Sequence, residues 1–321
     1  MSELHRFIFE GLPVRGMLVR LTGAWTELLQ RREKAGGYPE PVRDLLGEMA
    51  AAGVLMQANI KFDGALVLQI QGDGPVRLAV AEVQPDLALR ATATVTGEVA
   101  QGAGLEALVN VGGQGRCAIT LDPNNKQPGQ QPYQGVVGLH GDRREPLQQL
   151  SDVLEHYMLQ SEQLDTKLVL AADGQVAAGL LIQRLPVEGS GNLGEKNEDG
   201  IGLSEDYRRI ALLAGTLTRD ELLLLPADKL LHRLFWEETL RRFPPLEGAN
   251  GPRFECRCSR QRVAQMLRSL GREEIDGLIE ERGTAEVGCE FCGAQYRFDA
   301  VDVGEVFTSP RDQPPAPDAV H

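Results

Sequence analysis

A chain of 321 residues, 42% hydrophobic and 25% charged, has the make-up of a globular protein with room for one large domain and a smaller one. Its formal net charge of −13 repels phosphate backbones and anionic lipid surfaces, which argues against nucleic-acid and membrane partners. No run of about eighteen apolar residues is present to span a bilayer, and the charged, turn-broken start MSELHRFIFEGLPVRG lacks the apolar stretch of a secretory leader. The cytoplasm is the expected compartment.

The first stretch mixes strand and helix signals. His5–Glu10 and Val14–Leu21 read as strands separated by Gly11 and Pro13, followed by helices at Trp25–Lys34 and Glu40–Met56. Ala65–Ile70 and Val76–Val83 flank Gly72-Asp73-Gly74, a hairpin signal. Strands are expected at Leu87–Val95, Cys117–Leu121 and Gly135–Leu139, with DPNNKQPGQQP as an exposed loop between the last two. Pro146–Gln163 carries Leu147, Leu150, Val153, Leu154, Tyr157 and Met158 at helical spacing, and strands at Lys167–Ala171 and Val176–Gln183 turn at Asp173-Gly174.

The composition then shifts. VEGSGNLGEKNEDG is polar and glycine-rich, a domain boundary. Beyond it the chain reads as helical and Leu-rich: Ser204 can cap one helix, Thr218 and Glu221 have capping-box spacing for a second, and a third is expected from Asp228 to about Arg242, stopped by Pro244-Pro245. Leu222, Leu223, Leu230, Leu231, Leu234 and Phe235 lie in this linker and need a surface to lie against.

The last quarter holds four of the five cysteines, as FECRCS and VGCEFCG, with 30 residues between Cys258 and Cys289. Clustered cysteines in a reducing compartment argue for metal chemistry over structural disulfides. Cys256, Cys258, Cys289 and Cys292 supply four soft ligands for one tetrahedral zinc per chain, a closed site with no open coordination position and so not a catalytic one. Between the pairs, Val263, Met266, Leu267 and Leu270 stripe one helix ending at Gly271, and Ile275, Leu278 and Ile279 a second ending at Gly283; Thr284–Val287 and Tyr296–Phe298 form a hairpin around the knuckle. A module of this size buries too little apolar surface to fold alone. Zinc–thiolate binding supplies about 10–16 kcal/mol in standard-state terms.

The spacing also implies a switch. If an oxidant attacks the thiolates, the partners nearest in sequence pair, Cys256 with Cys258 and Cys289 with Cys292, each closing a loop worth only roughly 1.5–2 kcal/mol. Neither bond crosses the 30-residue gap that the metal bridges, so oxidation is expected to unfold the module. Arg257 and Arg260 add positive charge that favours thiolates.

Other signals are weaker. The letters G-x-G-x-x-G at 189–194 precede no helix and read as linker. Residues 254–300 hold seven arginines and no lysine against nine acidic residues, which disfavours a nucleic-acid ribbon. Cys289 and Cys292 sit on a hairpin and not at the start of a helix, unlike a thioredoxin-type pair. Cys117 reads as a small buried apolar residue. No grouping of catalytic side chains stands out, so the chain reads as a non-enzyme. The fold class is α+β: an N-terminal mixed sheet-and-helix domain (1–187), a flexible boundary and helical linker (188–245), a four-cysteine zinc module of short helices plus a β-hairpin knuckle (246–308), and an unstructured tail (309–321).

FECRCS and GCEFCGAQYRF at the cysteines, YQGVVGLHGD near Tyr133–Asp142, HYMLQSEQL near His156–Leu164 and the N-terminal RFIFEGLPVRG together resemble the bacterial redox-regulated heat-shock chaperones of 33 kilodaltons, over nearly the whole chain. The resemblance implies an ATP-independent holdase. Its reduced, zinc-bound form is inactive; oxidation makes the two disulfides, releases zinc, unfolds the C-terminal part and linker, and exposes apolar surface to unfolding client proteins. It also implies a homodimer formed through residues 1–187 when active, and both metal and sensor roles for the four cysteines. Two features depart from the family: Asp165 stands where proline is common, and the loop at Asn124–Pro132 is longer.

Overall fold

The computed structural model describes residues 1–33, 36–125, 129, 131–186 and 205–308, and it divides into two compact units, Met1–Glu255 and Cys256–His321. The G-x-G-x-x-G letters, the Ser204 cap and the tail fall outside the described residues.

In the first unit the chain runs through β1 (Glu3–Phe9), β2 (Val14–Leu21), α1 (Gly23–Glu33), α2 (Glu40–Asn59), β3 (Gly64–Gln71), β4 (Val76–Val83), β5 (Ala88–Val95), α3 (Leu105–Val109), β6 (Arg116–Pro123) and β7 (Tyr133–Gly138). It continues with α4 (Leu150–Glu162), β8 (Thr166–Ala172), β9 (Ala177–Arg184), α5 (Glu205–Gly215), α6 (Arg219–Leu224), α7 (Ala227–Phe235), β10 (Leu240–Arg242), β11 (Leu246–Glu247) and β12 (Arg253–Phe254). Two sheets result. The first has the order β10-β1-β2-β9-β8, with β11 also on β1; the second is β12-β5-β4-β3-β6-β7, antiparallel throughout except for the parallel β12–β5 pair.

The helix α2 lies between the sheets, touching β2, β8 and β9 of one and β3, β4 and β5 of the other. It is buried on nearly every side from Val42 to Gln57, which explains its run of Ala, Leu, Val and Met in place of a one-sided stripe. Gly47 allows the close approach: a β-carbon there would meet Ala172 Cβ at 2.4 Å.

The other face of the first sheet is covered by α5, α6 and α7. Phe7, Phe9, Val14, Leu18, Leu180 and Ile182 from the strands form one buried cluster with Tyr207, Ile210, Leu217 and all six linker residues singled out by sequence, none of the six more than 6% exposed. Phe235 packs edge-on against Phe9, with ring centroids 5.1 Å apart, and against Phe7 at 6.2 Å. The Thr218–Glu221 capping box is present at the start of α6. Leu224 and Trp236, by contrast, point outward at 75% and 68% exposure.

The expected helix from Asp228 to Arg242 stops at Phe235. Residues 240–242 pair instead with the otherwise free edge of β1, aided by the Glu10 N–H donating to Thr239 O, and Leu240 tucks against the cluster. A sheet edge with open donors and acceptors outweighs helical spacing there. The expected helix at Pro146 begins only at Leu150, because Leu147 N–H donates to Leu139 O and Pro146 bridges His140. Asp165 forms an ion pair with Arg184 at 2.7 Å beside the left-handed turn at Gln163. Cys117 is fully buried in β6, and burial pushes its thiol up to about 12.

The second unit contains α8 (Arg260–Leu270), α9 (Arg272–Arg282), the hairpin β13 (Ala285–Gly288) and β14 (Gln295–Phe298), and α10 (Ala300–Phe307). Its core is small: Leu267, Ile275, Ala285, Phe298, Val303 and Val306 are buried together. Of the expected stripe on α8, Leu267 is buried and Val263 half-buried, whereas Met266 and Leu270 stand 42% and 57% exposed. With α9 and α10 meeting only one side of α8, this small unit lacks the surface to cover a wider stripe. Residues 246–255, included with the cysteine module in the sequence reading, pair through β11 and β12 with strands of the first unit.

Candidate metal centre

Cys256 and Cys258 lie in the extended segment before α8, whose first turn is capped by Ser259 accepting from Arg262 N–H. Cys289 and Cys292 lie in the turn between β13 and β14. That turn is closed by Cys289 N–H donating to Ala294 O and Gly293 N–H donating to Cys289 O, both at 2.8 Å, with Gly293 at φ 69° where a side chain would be strained.

These two segments bring the four sulfurs within 4.8 Å of one another, with Cys256 and Cys289 Sγ 3.6 Å apart and Cys258 and Cys292 Sγ 3.4 Å apart. All are free thiols. Four thiolates at about 2.3 Å from one tetrahedral ion stand roughly 3.8 Å from each other. The donor set and its spacing therefore fit a metal ion, and these four residues could hold one.

Burial raises the Cys256 and Cys292 thiols. Burial also acts to raise Cys258, but hydrogen bonds from the Tyr296 hydroxyl and from the neighbouring thiols outweigh it and bring Cys258 down to about 7. Tyr296 Oη donates to Cys258 Sγ at 3.1 Å, and holding that bond pushes the phenol up to about 12. Sequence reasoning placed Tyr296 on the hairpin and missed this contact, which spans 38 residues and leaves no local signal. Arg260 has further partners within this unit. Its guanidinium lies 4.2 Å from the Phe298 ring centre, pairs with Asp302 at 2.6 Å and donates to Arg297 O, tying α8 to the hairpin and α10.

Removing the Tyr296 hydroxyl tests the outer contact. Tyr296→Phe is expected to weaken metal retention about 10–100-fold, the usual cost of losing a group that supports a metal ligand. Competition of the metal-loaded protein with a chromophoric chelator measures it, and an unchanged affinity would show that Tyr296 does not support the bound sulfur.

The chain thus joins a two-sheet α+β unit with a helical cover to a small four-cysteine unit. Residues 2–299 match the Hsp33 protein family, and the chain belongs to that family. A 33 kDa chaperonin of Chromobacterium violaceum is 44% identical over 95% of this chain and 94% of its own length. One from Nitrosococcus oceani is 41% identical over 96% and 94%. The crystal structure of a 33 kDa chaperonin from Thermotoga maritima superposes with a TM-score of 0.71 at 19% identity, covering 95% of this chain and 97% of that one, a likeness of fold.

Proposed function

We propose that this chain is a redox-regulated, ATP-independent holdase with one zinc ion per chain. The observation that carries the reading is the gathering of Cys256, Cys258, Cys289 and Cys292 into one four-sulfur cluster in a unit with a very small core. Zinc, when bound there, supplies the cross-link between the two cysteine pairs and holds all four sulfurs as thiolates.

The switch needs a two-electron oxidant, and peroxide is one. Each peroxide accepts two electrons from two thiolates and, taking up two protons, leaves as two waters. Two peroxides therefore convert four thiolates to two disulfides. In the folded cluster, cross-pair and same-pair sulfurs are all within 4.8 Å, so geometry alone leaves the pairing open. The sequence spacing favours Cys256–Cys258 and Cys289–Cys292, and these local bonds leave the small core without its long-range tie.

The client-binding surface in this reading is the face between α5–α7 and the first sheet. Leu222, Leu223, Leu230, Leu231, Leu234 and Phe235, together with Phe7, Phe9 and Ile182 beneath them, form a continuous apolar area once separated. Exposed apolar patches of this kind bind unfolded chains non-specifically. The active form is a homodimer through residues 1–187, acting in the cytoplasm under oxidative stress on partly folded proteins, with neither nucleic acid nor membrane as partner.

The test is peroxide treatment of zinc-reconstituted protein at mild heat stress, following zinc release, disulfide mapping and suppression of client aggregation together. The expected result is zinc loss, two local disulfides, and suppression only after oxidation. Zinc that stays bound, or leaves with no gain in client binding, would make the metal purely structural.

A further inference from the structure

The helix α6 is only six residues long, yet it sits at the centre of the cover over the first sheet. Its C-terminal carbonyls have an unusual problem. The carbonyl of Leu222 would normally accept from the N–H four residues on, but residue 226 is proline and has none. Arg20, on β2 of the sheet beneath, fills the gap. Its guanidinium donates to Leu222 O at 2.7 Å, Leu225 O at 2.8 Å and Leu223 O at 2.9 Å. The group is held largely out of water, with Glu3 as its carboxylate neighbour at 4.0 Å.

A second arginine secures the other end. Arg219, the first residue of α6, donates to Asp44 on α2 at 2.9 Å and to the Ala172 carbonyl at the end of β8. Asp44, Arg219 and Glu48, one turn along α2 from Asp44, line one cavity of about 470 Å³. Burial pushes the Glu48 carboxyl up to about 8, with Arg219 acting in the opposite direction. The rest of the α5–α7 contact is dominated by non-directional apolar packing; these guanidinium bonds fix the position of α6.

We propose that Arg20 and Arg219 form a two-ended clamp on α6 that sets how readily α5–α7 leave the sheet, independently of the cysteine cluster. The consequence for chaperone activity rests on the holdase reading above; the clamp itself does not. Loss of either arginine leaves backbone carbonyls of α6 or β8 unpaired in the closed form and costs nothing in the open one, where water serves them.

The experiment uses the full-length, reduced, zinc-loaded protein and amide hydrogen exchange read by mass spectrometry. Arg20→Met keeps the apolar stem and removes the donors; Arg219→Gln is the second variant, in case the first folds poorly. Exchange over residues 205–235 is expected to accelerate about ten- to a hundred-fold, the range for losing charged hydrogen bonds. Peptides of β3 to β6, and the zinc content, should stay as in the parent. Ile119→Val in β6, a small core loss away from the clamp, should leave 205–235 unchanged. The clamp is overturned if both arginine variants exchange like the parent over 205–235, or if all segments accelerate by the same factor. Faster exchange combined with no client binding by oxidised parent protein would support the clamp while removing the holdase reading.

Discussion

Serine at both Cys289 and Cys292 is expected to abolish tight metal binding and leave residues 256–308 without a fixed tertiary structure. A hydroxyl is a poor ligand for a soft, thiolate-preferring ion, and two remaining sulfurs on a C-x-C segment cannot complete a tetrahedron. The core that would have to hold the unit alone consists of Leu267, Ile275, Ala285, Phe298, Val303 and Val306. A core of that size is too small to order the unit without a cross-link. Bound metal contributes on the order of 10–16 kcal/mol in standard-state terms, so its loss decides the fold of this unit. The measurements are metal stoichiometry under chelator competition and exchange protection of α8 to α10, with the first unit as internal reference. One tight metal per chain in the double variant would sink the four-cysteine assignment.

Phe235→Ala should release the helical cover without touching the cysteines. Phe235 is 2% exposed and meets both Phe9 and Phe7, so truncation removes a ring from the middle of the cluster on the first sheet. Changes of this kind cost about 3–5 kcal/mol. That cost falls on the closed form alone, because the ring is solvated once α7 departs. The reduced variant is therefore expected to take up an environment-sensitive apolar dye and to suppress client aggregation before any oxidant is added, with its zinc content at the parent level. A reduced variant as silent as the parent in dye binding would show that α7 is not what shields the surface.

The parts of the fold that were legible in the sequence share a physical character. Strands β3 and β4 declared themselves by a glycine-rich turn between apolar runs, and the α6 cap by Thr218 and Glu221, because both signals are local. The four-cysteine cluster was legible because thiols are scarce in this chain and fall in two close pairs with the spacing of a metal site. What escaped was set by partners far away. Residues 240–242 have helical spacing and became a strand because the edge of β1 was open to them. Tyr296 and Arg20 look like ordinary hairpin and strand residues until the fold places Cys258 38 residues away, and the α6 carbonyls over 200 residues away, within their reach. The helix α10 was readable in principle: Asp299 and Asp302 form its capping box. Met266 and Leu270 show the opposite failure, a periodic stripe wider than the small unit can cover.

The segment between α7 and Cys256 is fastened three times: β10 and β11 to β1, and β12 to β5 of the other sheet. Arg253 adds bonds to Asp86, and the guanidinium of Arg31 lies 5.3 Å from the centre of the Phe254 ring. Along the chain, these fastenings are wired in series. A disturbance beginning at the cysteines meets Phe254 first, then Leu246–Glu247, then Leu240–Arg242, before it reaches the apolar helix at Phe235. Each fastening is only two or three residues long. In the holdase reading proposed above, loss of order at the cysteines would therefore have to undo these stitches one after another before it reached the helical cover.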